Sequence, residues 1–110
     1  MTLKRLFASA LVALGLALPA AAAPLVVGGK NFTEQQLIAE ITTQLLKSKG
    51  FEVDKRAGLG TAPLRQALEA GQIDLYWEYT GTSLITFNKI AEKMDAAQTY
   101  AKVKELDGEK

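Results

Sequence analysis

The segment L-V-V-G-G-K-N-F-T-E-Q, residues 25–35, joins a short apolar run to the start of a helix. An apolar run of this length that ends in two glycines is typical of a strand buried in a parallel sheet. The residues after it predict a helix, because Thr33 and Gln36 have the spacing of a capping box. An apolar stripe continues along that helix and is predicted to face the core. It consists of Leu37, Ile38, Ile41 and Leu45.

The rest of the chain repeats this alternation of short apolar runs and helical patterns. Residues 51–53 predict a second strand, followed by a loop at 55–60, and residues 73–77 predict a third strand. A helix is predicted between these strands, and another opens at Asp95, where Gln98 completes a second capping box. The order β-α-β-α-β-α implies an α/β fold with parallel strands and right-handed crossovers.

The N-terminus has the pattern of a secretory signal peptide. Two basic residues precede an apolar run at 6–18, and a string of small residues follows it. The run is shorter than the roughly 20 residues that span a bilayer. We therefore expect residues 1–22 to be a signal cleaved near Ala22, which leaves residues 23–110 as a single unit exported to the periplasm.

The composition excludes several classes of function. The chain has no Cys and no His, so disulfides, the usual zinc sites and His-based acid–base catalysis are not available to it. Its 13 Lys and Arg balance 12 Asp and Glu, whereas a nucleic-acid partner requires a basic surface. We therefore predict neither an enzyme nor a nucleic-acid-binding protein, and no cofactor.

One candidate binding segment is residues 28–35. Ligands of parallel α/β sheets bind beyond the carboxyl ends of the strands, where this segment lies. Glycines before a helix N-terminus expose backbone N–H groups, and Lys30 adds a mobile positive charge, so a carboxylate or phosphate suits this place. A tight turn with a solvated lysine would have the same sequence.

A second candidate segment is residues 75–82, in which three aromatic residues fall within four positions. Aromatic faces attract cations, and a quaternary ammonium group suits them because it stays charged and has no N–H to donate. Packing alone would explain Tyr76 and Trp77, whereas Tyr79 stands beside a T-G-T turn. Glu78 with Asp74 makes a poor catalytic pair, because four residues of extended strand separate them by about 13 Å.

Together, the motifs V-V-G-G-K-N-F-T-E-Q, G-L-G-T and A-G-Q-I-D-L-Y-W-E-Y-T-G-T resemble one family closely. The chain is similar to the substrate-binding proteins of osmoprotectant ABC importers, which bind glycine betaine, choline and related quaternary amines. The resemblance runs from about Leu25 to the end of the chain. It implies a type II periplasmic binding protein fold, in which two α/β lobes close on the ligand and tyrosines form an aromatic cage.

Carried over residue by residue, the resemblance makes Tyr79 one wall of the cage, Thr82 a hydroxyl donor to the ligand carboxylate and Lys30 a second carboxylate partner. Trp77 stands where we expect Pro in this family. The resemblance also implies a monomer that delivers its ligand to an ABC permease in the inner membrane. We expect the chain to hold only part of the first lobe. Two alternatives stay open: a binding protein for another small ligand such as an amino acid, and a remnant without transport function.

Overall fold

The structure is a computed structural model that describes residues 22–110, so the predicted signal peptide lies outside the described residues apart from Ala22. Two strands, four α-helices and one π-helix follow each other along the chain. They are β1 (Leu25–Lys30), α1 (Thr33–Ser48), β2 (Val53–Leu59), α2 (Thr61–Glu69), α3 (Thr80–Thr82), the π-helix (Ser83–Phe87) and α4 (Ala96–Asp107). Within the described range, every helix is too short or too polar to cross a membrane.

β1 lies at the centre of a small parallel sheet. It pairs with β2 in a regular register from Leu25 to Gly28, and an irregularity between Gly28 and Lys30 then places Lys30 opposite Leu59 at the carboxyl end. It also forms a single parallel bridge, from Val27 to Leu75. The predicted α/β class and the parallel pairing of the strands are therefore confirmed.

The second and third strands differ in length from the prediction. β2 begins at Val53, so residues 51–52 of the predicted strand lie before it. It includes residues 55–59, where a loop was predicted, because an exposed strand paired on β1 needs no alternation of apolar side chains. The third strand, predicted at 73–77, is reduced to the bridge at Leu75. The Asp74 carboxylate accepts the Val26 N–H at 2.7 Å. The Asp74 side chain thus accepts the Val26 N–H, which a backbone carbonyl would accept if the third strand were longer.

Side chains approach β1 closely at its two glycines. A Cβ atom on Gly28 would lie 2.7 Å from Leu64 of α2 and from Ile73, and one on Gly29 would lie 3.0 Å from Ala39 of α1. A Cβ atom at either position would therefore require the neighbouring groups to shift. The buried apolar residues of the described range are few: Val27, Ala39, Leu64, Ile73 and Leu84.

The predicted buried face of α1 is wrong. The leucine and isoleucine stripe is more than half exposed at Leu37, Ile41 and Leu45. The helix instead buries a stripe of smaller and polar side chains with the same spacing, namely Gln35, Ala39 and Thr43. The small Ala39 lets α1 come close to β1 at Gly29, which a row of branched side chains would prevent.

The two predicted capping boxes have different outcomes. α1 begins at Thr33 with Phe32 as its N-cap and has no side-chain cap, so the box at Thr33 is wrong. The box of α4 is confirmed, because the Asp95 carboxylate accepts the Gln98 N–H at 2.8 Å and the Gln98 amide oxygen accepts the Asp95 N–H at 3.1 Å.

Candidate ligand-binding site

Lys30 ends β1, and its side chain is buried, with 3% of its surface exposed. Its Nζ donates to Oε1 of Glu78 at 2.5 Å, and its backbone N–H donates to the Gln35 amide oxygen at 3.3 Å. A buried charge needs a partner of this kind, because leaving water is costly for an ion. The mobile, solvated lysine that the sequence suggested is therefore replaced by a fixed ion pair.

Glu78 joins three groups through its two carboxylate oxygens. Oε1 accepts the Lys30 ammonium and the backbone N–H of Tyr79 at 2.9 Å, and Oε2 accepts the Tyr76 hydroxyl at 2.9 Å. Burial and the neighbouring carboxylate raise the pKa of Tyr76 above its usual value, so its hydroxyl remains a donor. Glu78 thereby ties the end of β1 to the segment that precedes α3.

Tyr79 lies at the rim of the sheet with 37% of its surface exposed, so its ring is not sealed in the interior. The Lys30 Nζ is 5.3 Å from the ring centroid, within the range of a cation–π contact. Phe32 stacks beside the ring, with centroids 6.1 Å apart, and the Tyr79 hydroxyl donates to Glu34 at 2.7 Å. Gln35 acts to lower the pKa of Tyr79, but the hydrogen bond to Glu34 and its negative charge raise that pKa overall.

Thr82 ends α3, the single helical turn that begins one residue after Tyr79. The Ser83 N–H donates to the Tyr79 carbonyl at 3.0 Å, which closes the turn. The structure thus brings Lys30 and Tyr79 into contact. Among the hydrogen bonds of residues 22–110, none joins Thr82 to either of them.

Trp77 fastens the same segment to α1. Its carbonyl accepts the Gln35 amide at 2.9 Å, and its indole N–H donates to the Thr42 hydroxyl at 2.9 Å. The side chain is half exposed. Trp77 therefore holds the segment before Tyr79 against α1 while much of its ring remains in solvent.

Sequence reasoning missed three residues that surround Tyr79: Phe32, Glu34 and Glu78. Glu78 was considered only as one of a catalytic pair. The pairing of Glu78 with Lys30 has no local signature in the sequence, and only the predicted parallel topology, which brings the carboxyl ends of neighbouring strands to one edge, offered a hint of it. The contacts of Phe32 and Glu34 depend on how α1 is oriented, and the apolar stripe indicated the wrong orientation for that helix.

The described part of the chain has no group of three or more acidic side chains that could hold a metal ion. A cavity of about 470 Å³ lies near the C-terminus of α4, and its lining residues include Glu78 but neither Lys30 nor Tyr79. The cavity is lined by Arg65, Leu68, Glu69, Tyr76, Glu78, Asp107 and Lys110.

The chain is similar to proteins of known function in both sequence and fold. The glycine-betaine-binding protein of Pseudomonas aeruginosa strain PAO1 is 52% identical over 81 residues, which cover 74% of this chain and 26% of that protein. The glycine betaine-binding protein YehZ of Escherichia coli K12 is 43% identical over 115 residues, which cover 99% of this chain and 37% of YehZ. The chain therefore spans between a quarter and two fifths of the length of these relatives.

The solved structure of apo YehZ from Escherichia coli superposes on this chain with a TM-score of 0.74 at 39% sequence identity. The match covers 80% of this chain and 32% of that structure. It confirms that the parallel α/β unit is part of a periplasmic binding protein fold. Residues 23–110 also match the model of the substrate binding domain of the ABC-type glycine betaine transport system. The chain therefore belongs to the family of substrate-binding domains of ABC-type glycine betaine transport systems.

Proposed function

We propose that the chain supplies part of the ligand-binding surface of a periplasmic protein that captures quaternary amine osmolytes such as glycine betaine or choline. The captured ligand passes to an ABC permease in the inner membrane, and no bond of the ligand is made or broken. Membership of the family and the names of the two relatives support this proposal. The exposed ring of Tyr79 at the rim of the sheet is the observation that carries it.

The ring of Tyr79 suits a ligand that carries a permanent positive charge. A quaternary ammonium cannot donate N–H hydrogen bonds, so it is held by the electron-rich faces of aromatic rings. Lys30 already places its ammonium 5.3 Å from the centroid of this ring. Phe32 widens the aromatic surface next to it. The hydroxyl of Tyr79 is held by Glu34, which fixes the orientation of the ring.

Thr82 and Lys30 are proposed to hold the carboxylate of a zwitterionic ligand. The Thr82 hydroxyl can donate one hydrogen bond, and α3 places it one helical turn from Tyr79. The Lys30 ammonium has three N–H donors, of which one is directed to Glu78. A carboxylate reaching Lys30 therefore has to share it with Glu78. We propose that the chain binds the ligand as a monomer.

Calorimetry with the 110-residue chain tests the proposal. We expect choline and glycine betaine to bind, and Tyr79→Ala to weaken both by roughly thirtyfold through loss of the ring face. Tyr79→Phe is the matched control, because it keeps the ring and removes only the hydroxyl bonded to Glu34. Unchanged affinity in Tyr79→Ala would exclude Tyr79 from the site. Binding of glycine but of neither quaternary amine would favour the amino acid alternative.

A further inference from the structure

We propose that Glu78 is a specificity-determining residue that sets the preference of the site between cationic and zwitterionic ligands. It does so by cancelling the positive charge of Lys30 beside the ring of Tyr79. This inference rests on the proposed function, because it concerns the same surface and the same class of ligand. Glu78 acts through Lys30 and is not itself proposed to touch the ligand.

The position of Lys30 creates the need for a counter-charge. The Lys30 Nζ is 5.3 Å from the centroid of the Tyr79 ring. A ligand ammonium in a cation–π contact lies within about 6 Å of that centroid, so it is no more than about 11 Å from the Lys30 Nζ. Two like charges at that separation repel each other enough to weaken binding about tenfold, at the effective dielectric constant of partly buried sites. An unpaired Lys30 would therefore compete with the ligand for the ring.

Glu78 is placed to remove this repulsion. Its Oε1 is 2.5 Å from the Lys30 Nζ, and only 15% of its side chain is exposed, so water screens the pair weakly. The hydroxyl of Tyr76 and the N–H of Tyr79 hold the carboxylate in this position. Glu34 also carries a negative charge beside the ring, but in the described part of the chain it contacts the hydroxyl of Tyr79 and not the Lys30 ammonium.

The two classes of ligand respond differently to this pair. Choline carries only a positive charge, so it gains from the cancellation of Lys30. Glycine betaine also carries a carboxylate, which an unpaired Lys30 would attract. Loss of the Glu78 charge should therefore weaken the binding of choline more than that of glycine betaine. A purely structural role of Glu78 would weaken both by the same factor.

The test compares Glu78→Gln with the double variant Lys30→Met/Glu78→Gln, using choline and glycine betaine as probes in calorimetry of the 110-residue chain. We expect Glu78→Gln to lower the affinity for choline about tenfold and to lower the choline-to-betaine affinity ratio severalfold. The double variant removes both charges and should return choline affinity to within a few fold of the parent. Equal losses for both ligands, or a double variant as weak as Glu78→Gln, would overturn the inference.

Two further measurements keep the result decisive. Glu40→Gln neutralises an exposed carboxylate that pairs with Lys55, and it should leave both affinities unchanged. Titration of the Tyr79 phenol by NMR needs no ligand. Glu78→Gln should lower the pKa of Tyr79, and the double variant should restore it. If the parent binds neither choline nor glycine betaine, the proposed function fails. Separately, if the pKa of Tyr79 is the same in Glu78→Gln as in the parent, the role of Glu78 is overturned.

Discussion

Gly28 of β1 packs directly against Leu64 of α2, at a distance where a Cβ atom on Gly28 would lie 2.7 Å from the Leu64 Cδ1. Ile73 would be equally close, and both apolar side chains are buried. We expect Gly28→Ala to lower the free energy of unfolding by about 1–3 kcal/mol through overpacking. Urea unfolding measures this value. Gly81→Ala is the control, because nothing lies within 4 Å of its Cβ position. Equal stability of the two variants would contradict the close packing.

Asp107 anchors the end of α4 to the π-helix. Its carboxylate accepts the buried Ser83 hydroxyl at 2.5 Å and the Asn88 amide at 3.1 Å. Partial burial acts against ionisation, but these hydrogen bonds and the nearby Arg65 keep the pKa of Asp107 below its usual value. Because the folded state has the lower pKa, the stabilisation is present above about pH 4 and is lost as the pH falls through the lowered pKa.

The expected result is a shallower acid dependence when this carboxylate is removed. Thermal unfolding is measured from about pH 6 to about pH 2, an interval that contains the ordinary pKa of aspartate. The melting temperature should fall less over this interval for Asp107→Asn than for the parent. Glu105→Gln is the matched control, because Glu105 is an exposed carboxylate on the same helix that pairs with Lys102 and, within residues 22–110, with no other basic side chain. If the melting temperature of Asp107→Asn falls with pH as steeply as that of the parent, ionisation of Asp107 does not contribute to the acid dependence of stability.

The two capping boxes predicted from sequence can be compared directly. Asp95 accepts the Gln98 N–H at the start of α4, so Asp95→Ala should lower the free energy of unfolding by about 0.5–2 kcal/mol. Thr33 makes no cap at the start of α1, so Thr33→Ala should change stability by less than about 0.5 kcal/mol. Chemical denaturation of both variants under one condition checks the difference. A larger loss in Thr33→Ala would mean that α1 is capped by Thr33 after all.

The exposed apolar stripe of α1 leads to a prediction about association. Ile41 has 56% of its surface exposed, so Ile41→Gln should change the free energy of unfolding by less than about 0.5 kcal/mol. The same change should reduce self-association at high protein concentration, because it interrupts a continuous apolar surface. Light scattering and thermal unfolding measure the two effects. Ala39→Gln is the contrasting variant, because Ala39 is fully buried and faces Gly29.

Much of the architecture could be predicted from periodicity and turn residues. The alternation of strands and helices from β1 to α2, the parallel pairing of β1 with β2 and the capping box at Asp95 follow from local patterns, and the structure has all three. The third strand of the predicted order is reduced to the bridge at Leu75. The buried face of α1 could not be predicted in the same way, because two stripes with helical spacing compete. The decisive factor is the close approach at Gly29, a contact between elements that periodicity within one helix does not report.

The candidate site was only partly predictable, for a similar reason. Tyr79 and Lys30 were selected from their chemistry and their position at strand ends, and the structure places them in contact. Their roles toward a ligand, like that of Thr82, remain proposals. The pairing of Lys30 with Glu78 was not predicted, because opposite charges far apart in a sequence have no local signature. Only the register of β1 beside the segment around Leu75 brings these two side chains within bonding distance.

The bridge between Val27 and Leu75 means that the candidate ligand-binding surface forms only when two distant segments of the chain are aligned. The ring of Tyr79 and the Lys30 side chain beside it are separated in the chain by α1, β2 and α2. A synthetic peptide with only the E-Y-T-G-T motif would therefore lack the lysine. A denatured chain, in which these two segments are not aligned, should lack the arrangement as well. Under the function proposed above, ligand binding would therefore report native assembly, and an osmolyte titration would also serve as an assay for correct refolding.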